Sequence, residues 1–238
     1  MNFCWKWYIG WTNGEKCAII KAEVIGLRDF PFFATSYGVA SLILNQIPYT
    51  NSAYIRIQSA TDGEKLLSEC VDFCRAAGAE RIFATGHPVC EQFQSHTQII
   101  KMTAPVSSVG ETDASLFPVT EETLEKWREI YNRKIRSVPN ASYMSIKQAK
   151  EFRVQCSMYF IHRDAVLLGI GMVDGNALRF VASLRSGAGQ DAVRGLCHSI
   201  ADDFVELEVA TANTKAVSLY ERLGFVPSAL VATWYQII

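Results

Sequence analysis

Three features of the sequence could do chemistry: a carboxylate, a phenol and a glycine loop, all within its last quarter. Glu208 lies in the run Phe204-Val205-Glu206-Leu207-Glu208-Val209, where apolar residues alternate with Glu206 and Glu208. That alternation is a strand with its two glutamates on one face. Tyr220 follows twelve positions later, in a stripe of Ala216, Val217, Tyr220, Leu223 and Gly224 at helical spacing, and Asn213 lies between them. Gly224 stands just past the end of that helix, where a residue free to take positive φ is wanted. Upstream, Leu184-Arg185-Ser186-Gly187-Ala188-Gly189-Gln190 is a small-residue loop that opens another helix. A carboxylate can take a proton and a phenol of pKa ~10 can give one at neutral pH. Small residues before a helix let backbone N–H groups and the helix dipole meet an anion.

The spacing of Glu208, Asn213 and Leu219-Tyr220-Glu221-Arg222-Leu223-Gly224-Phe225 resembles the second signature block of the GNAT superfamily, the acyl-CoA-dependent N-acyltransferases. In that family the block reads Leu-Glu-Val, then Asn, then Ala, then Leu-Tyr-Glu-x-Leu-Gly-Phe. The resemblance covers about residues 115–238. It implies an α/β (α+β) fold, a GNAT-like mixed sheet flanked by helices.

The resemblance implies a set of roles. Acetyl-coenzyme A would be the cosubstrate, its phosphates held at Arg185, Ser186, Gly187, Ala188, Gly189 and Gln190. Its arm would run along the main chain of Phe180, Val181, Ala182 and Ser183, with a backbone N–H stabilising the oxyanion. The first position of the loop departs from the family pattern: Leu184 stands where an Arg or Gln is usual, and the arginine is displaced to Arg185. Glu208 would be the general base, provided burial or the neighbouring Glu206 raises its pKa from ~4.3; otherwise it is a solvated strand residue. Tyr220 would be the general acid, or else a core tyrosine. Asn213 would bind the cofactor arm or cap the helix. Attack would be direct, in a ternary complex, on behalf of a small-molecule or peptide primary amine. The alternative is a non-catalytic acyl-CoA-binding or interaction module on the same fold.

To position these residues the chain has 238 residues, enough for two lobes with cores of their own. Lys plus Arg number 23 against 24 Asp plus Glu, a balance that argues against a nucleic-acid binder. No apolar run reaches the ~18 residues of a membrane span, and the aromatic start reads as a strand or docking segment, not a signal peptide. Seven scattered cysteines and four histidines show no metal-ligand spacing, so no metal is expected. Free thiols fit a reducing cytoplasm.

In chain order, strands are expected at 17–24, 31–35, 53–60, 81–85 and 98–103. A helix is expected over Gly38–Gln46, ending before Pro48. Another would follow a capping box at Thr61-Asp62-Gly63-Glu64, and a short one would run from Pro88 to Gln94. The polar stretch Pro105–Pro118 reads as the boundary between a lobe at 1–108 and one at 115–238. Beyond it come helices from Thr120 to Arg136 and from Ser145 to Phe152. A three-stranded meander (156–162, 165–173, 176–183) and a helix over Gly189–Asp203 follow, and a strand at 229–237 closes the chain. Residues 53–103 repeat the element order of 178–237, so the N-terminal lobe reads as a degenerate GNAT-like copy in tandem. Asp62-Gly63-Glu64 occupies the place of its phosphate loop.

Overall fold

In a computed structural model of the protein, residues 6–12, 15–21, 32–136 and 142–238 are described, the first two spans by their backbone alone. Residues 22–24 of the strand expected at 17–24, and residue 31 of the one expected at 31–35, lie outside them. The chain forms two compact units, Met1–Gln98 with Ala232–Ile238, and Ile99–Val231. The division falls inside a strand and not in the polar stretch, which instead holds a 3-10 turn (Val106–Ser108) and a short strand.

The first unit opens with β1 (Lys6–Thr12), β2 (Glu15–Lys21), β3 (Phe32–Thr35) and β4 (Gly38–Ile43), an antiparallel series. The helix expected over 38–46 is thus a strand. Thr35 pairs with Gly38 across a two-residue turn, Ser36-Tyr37, which pins the hairpin. β4 is further held by β5 (Ser52–Ala60), which follows a single helical turn, α1 (Ile47–Thr50). Helix α2 (Gly63–Ala76) then lays Leu66, Leu67, Cys70, Val71 and Cys74 on the sheet. Its cap is Asp62, whose carboxylate accepts from Lys65 N–H (3.1 Å), whereas the Thr61 hydroxyl donates to Tyr37 C=O (3.1 Å). The expected Thr61–Glu64 capping box is therefore replaced by an aspartate one residue later. β6 (Arg81–Thr85) runs parallel to β5, and a 3-10 turn (Pro88–Gln92) leads into β7 (Gln94–Pro105).

In the second unit β8 (Ser115–Pro118) is the edge strand. Helix α3 (Leu124–Ile135) has Thr123 as its N-cap, three residues after the expected Thr120, and in the preceding turn Thr120 N–H bonds the Thr123 hydroxyl (2.9 Å). Helix α4 (Ile146–Gln155) has a capping box between Ser145 and Gln148. The meander is β9 (Ser157–Arg163), β10 (Val166–Asp174) and β11 (Ala177–Ser183). Its first turn holds Asp164 and Ala165 at φ 50° and 61°. Helix α5 (Gly189–His198), strand β12 (Phe204–Ala210), helix α6 (Thr214–Arg222) and strand β13 (Val226–Gln236) complete the chain. Helix α5 stops five residues short of the expected Asp203, where Ser199 turns back to donate to Leu196 C=O (2.7 Å).

The second unit's sheet runs β7-β12-β11-β10-β9-β8. One face packs on α5 and α6 around Leu196, Leu207, Tyr220 and Phe225; the other packs on α3 and α4 around Trp127, Ile170 and Met172. The element order of the sequence repeat is present: β5-α2-β6-turn-β7, then β11-α5-β12-α6-β13. Yet the residues of β7 from Ile99 pair with β12 in the second unit, and the end of β13 pairs with β6 in the first. The two repeats exchange their last strands.

Candidate active site

Strands β11 and β12 are parallel but share a single paired position, Ala177 opposite Glu206, next to a Glu206 N–H bond to Asn176 C=O (3.0 Å). Beyond it they separate. β11 meanwhile stays laddered to β10 as far as Ser183 opposite Gly169. One edge of Phe180–Ser183 therefore carries main-chain N–H and C=O groups with no strand partner among the described residues. Such groups want hydrogen bonds, and a ligand lying between the strands could supply them.

A bulge sets which side chains flank that edge. Met172 pairs with Phe180 and Val173 with Leu178, so Arg179 is the extra residue. Leu178 consequently packs on the α5 side while Phe180, two residues on, packs on the α3 side. There the Phe180 ring lies 4.5 Å from that of Tyr131 and 5.9 Å from that of Trp127. Tyr131 donates to Ser142 C=O (3.1 Å), and burial pushes its pKa up to about 12.

The glycine loop follows at the open end of β11. Leu184 continues the ladder, its N–H bonding Leu168 C=O (2.7 Å), and its side chain packs beneath α3 and α4. Its departure from the family pattern is a packing feature. Arg185, Ser186 and Gly187 are exposed, Gly187 at φ 81° with open space where a Cβ would stand. Ala188 is the N-cap of α5 and makes no side-chain capping bond, which leaves the helix's first N–H groups to another acceptor. Asp191 in that first turn is already engaged by Arg163 (2.8 Å) and the Thr112 hydroxyl (3.2 Å). Gly189 serves packing: a Cβ there would stand 3.3 Å from Leu219.

Glu208 lies two residues past the last pairing, exposed, on the sheet face opposite Val205, Leu207 and Val209. Tyr220 is buried among the α5–α6 core residues, its ring 5.6 Å from Phe225. Burial, with the Cys197 thiol nearby, raises its pKa to about 12. The two residues thus lie on opposite faces of the sheet. Asn213 caps α6, accepting from Ala216 N–H (3.4 Å). Sequence reasoning missed Lys101. Its ammonium bonds the Glu206 carboxylate (3.0 Å), so the charge expected to press on Glu208 from Glu206 is met by a cation. The only sequence signal for Lys101 is its place in a strand of the first lobe.

The corresponding place in the first unit is closed. β5 and β6 pair at five positions, Ser52–Arg56 against Arg81–Thr85. Helix α2 is capped by Asp62, and a Cβ on Gly63 would meet the His87 ring at 2.5 Å.

No family model and no curated protein matches the chain. Solved structures do. A GCN5-related N-acetyltransferase from Anabaena variabilis aligns with 89% of this chain and 63% of its own, at TM-score 0.57 and 12% identity. The fold is that of the GCN5-related N-acetyltransferases. A second such enzyme, from Kribbella flavida, aligns over 88% of this chain and 90% of its own (TM-score 0.51, 13% identity). A conserved Staphylococcus epidermidis protein of unknown function aligns over 89% and 94% (TM-score 0.54, 10% identity). Within this GNAT fold, no described helix is long and apolar enough to cross a membrane, and no three His, Cys, Asp or Glu among the described residues group to hold a metal.

The buried acids carry a pH consequence. Tyr131 and Tyr220 rise from 10 to about 12, and the buried Cys74 and Cys197 thiols from 9 to about 12. The folded chain keeps these protons where the unfolded chain loses them. Stability is therefore intact below pH 9 and falls as the pH rises from 9 towards 12, by roughly 1.4 kcal/mol per pH unit for each group within its own window. Thermal melts at pH 8 and pH 10.5 should show the lower midpoint at the higher pH.

Proposed function

We propose that the protein transfers an acyl group, acetyl first among them, from coenzyme A to a primary amine, at the separation of β11 and β12. The observation that carries this is the single paired position between those strands, with a free main-chain edge leading to an uncapped helix. Bound acetyl-coenzyme A would supply an acyl group activated as a thioester. Phe180–Ser183 would hold its arm through main-chain bonds, and the N–H groups at Gly187–Gln190, with Arg185, would hold its phosphates. A β11 N–H would meet the negative charge that develops on the acyl oxygen.

Glu208 would take the proton of the attacking amine, directly or through one water, as the C–N bond forms. Tyr220 would give its proton to the departing sulfur as the C–S bond breaks. Peptide and small-molecule primary amines are both candidate acceptors. Release of free thiol from acetyl-coenzyme A over a panel of primary amines is the test. Amine-dependent release supports the proposal. Binding without release on any amine would favour the non-catalytic module.

A further inference from the structure

Lys101, Glu206 and Glu208 form a charge cluster at the point where the strands part. Glu206 occupies the one position at which β12 pairs with β11, and Glu208 projects two residues beyond it on the same face. Lys101 stands directly opposite Glu208 on β7, yet its ammonium bonds the diagonal carboxylate of Glu206 at 3.0 Å. The side chains of that pair are 33% and 32% exposed, open enough for a ligand to reach and shielded enough for their charges to count. Thr103, opposite Glu206, completes the polar strip.

Among the described residues, the charges of this cluster add to one unit: Lys101 cancels Glu206, and Glu208 remains as a carboxylate with no ion-pair partner. A primary amine arrives at neutral pH as one ammonium, which that carboxylate matches. A second cation close to the first finds no carboxylate of its own and meets the Lys101 ammonium instead.

We infer that Lys101, a residue of the first repeat's last strand, is a specificity-determining residue that selects acceptors carrying one positive charge near the reacting amine. The inference rests on the acyl-transfer reading above and names the acceptor class for that site: monocationic amines over diamines and over peptides with an adjacent lysine.

The test measures kcat/KM for length-matched alkyl monoamines and α,ω-diamines, and for peptide pairs that differ by one Lys for Ala near the reacting amine. The readout is the dication-to-monocation ratio, which the fraction of folded enzyme does not alter. Lys101→Met leaves two carboxylates and should raise that ratio about tenfold. Lys101→Arg should keep it at the wild-type value. Glu206→Gln frees the cation and should lower it, and the double variant Lys101→Met/Glu206→Gln should return it to wild type. An active wild-type protein whose ratio is unmoved by Lys101→Met would overturn this inference and leave acyl transfer standing. A wild-type protein that acylates no amine would overturn acyl transfer and this inference with it.

Discussion

Glu208→Gln should lower turnover by 10²–10⁴-fold, the usual contribution of one positioned proton transfer. Glu208 is exposed at the parting of β11 and β12, so the amide keeps the shape and the strand while removing the proposed base. The acidic limb of the pH–rate profile should disappear with it. Tyr220→Phe should cost a comparable factor with coenzyme A affinity nearly unchanged. The ring stays against Phe225 and only the hydroxyl is lost. Because Glu208 and Tyr220 lie on opposite sheet faces, the two variants should fail at different steps, amine deprotonation and thiolate departure. Full turnover in Tyr220→Phe, with chemistry rate-limiting, would make Tyr220 a core residue whose proton is supplied by water.

A fragment of residues 115–238 should not fold. It contains the whole stretch of family resemblance but lacks β7, which pairs with β12 from Pro105 opposite Phe204 to Ile99 opposite Ala210. Met102 and Ala104 of that strand are fully buried in the α5–α6 core. Truncating one buried Met alone costs about 2–5 kcal/mol, and a domain's whole stability is about 5–15 kcal/mol. Loss of the strand also exposes the apolar edge of β12 to aggregation. Circular dichroism should show no cooperative melt for 115–238 and a cooperative one for 99–238. A cooperative melt of the shorter fragment would show that β7 is dispensable.

That exchange explains what is and is not legible in the sequence. Local patterns find most elements of the second unit, because β12, α5 and α6 carry strict alternation or a 3.6-residue stripe. Tyr220's burial follows from that stripe. Gly224, at φ 87° just past α6, stands where a positive φ is wanted. Gly38–Gln46 misleads because its apolar residues suit a short helix as well as a strand buried on both sides. The two-residue turn at Ser36-Tyr37 decides it, and that turn lacks the glycine or asparagine that usually announces one. Pairing between distant strands leaves no local trace. Nothing near Glu206 shows that its partner is Lys101, 105 residues away. The bulge at Arg179 is equally invisible, since it matters only against the register of β10.

The claim on which the rest depends is that the second unit alone takes coenzyme A, between β11 and β12 and at the start of α5. Isothermal titration of acetyl-coenzyme A into the full chain tests it most directly. One site per chain is expected, because the first unit pairs its parallel strands at five positions, caps α2 with Asp62 and sets His87 against Gly63. Gly187→Val, first shown by a thermal melt to be folded, should weaken binding at least tenfold, about 1.4 kcal/mol. It places a branched side chain in the open space at the mouth of the Arg185–Gln190 loop. No binding, two sites per chain, or undiminished affinity in that variant would contradict the placement.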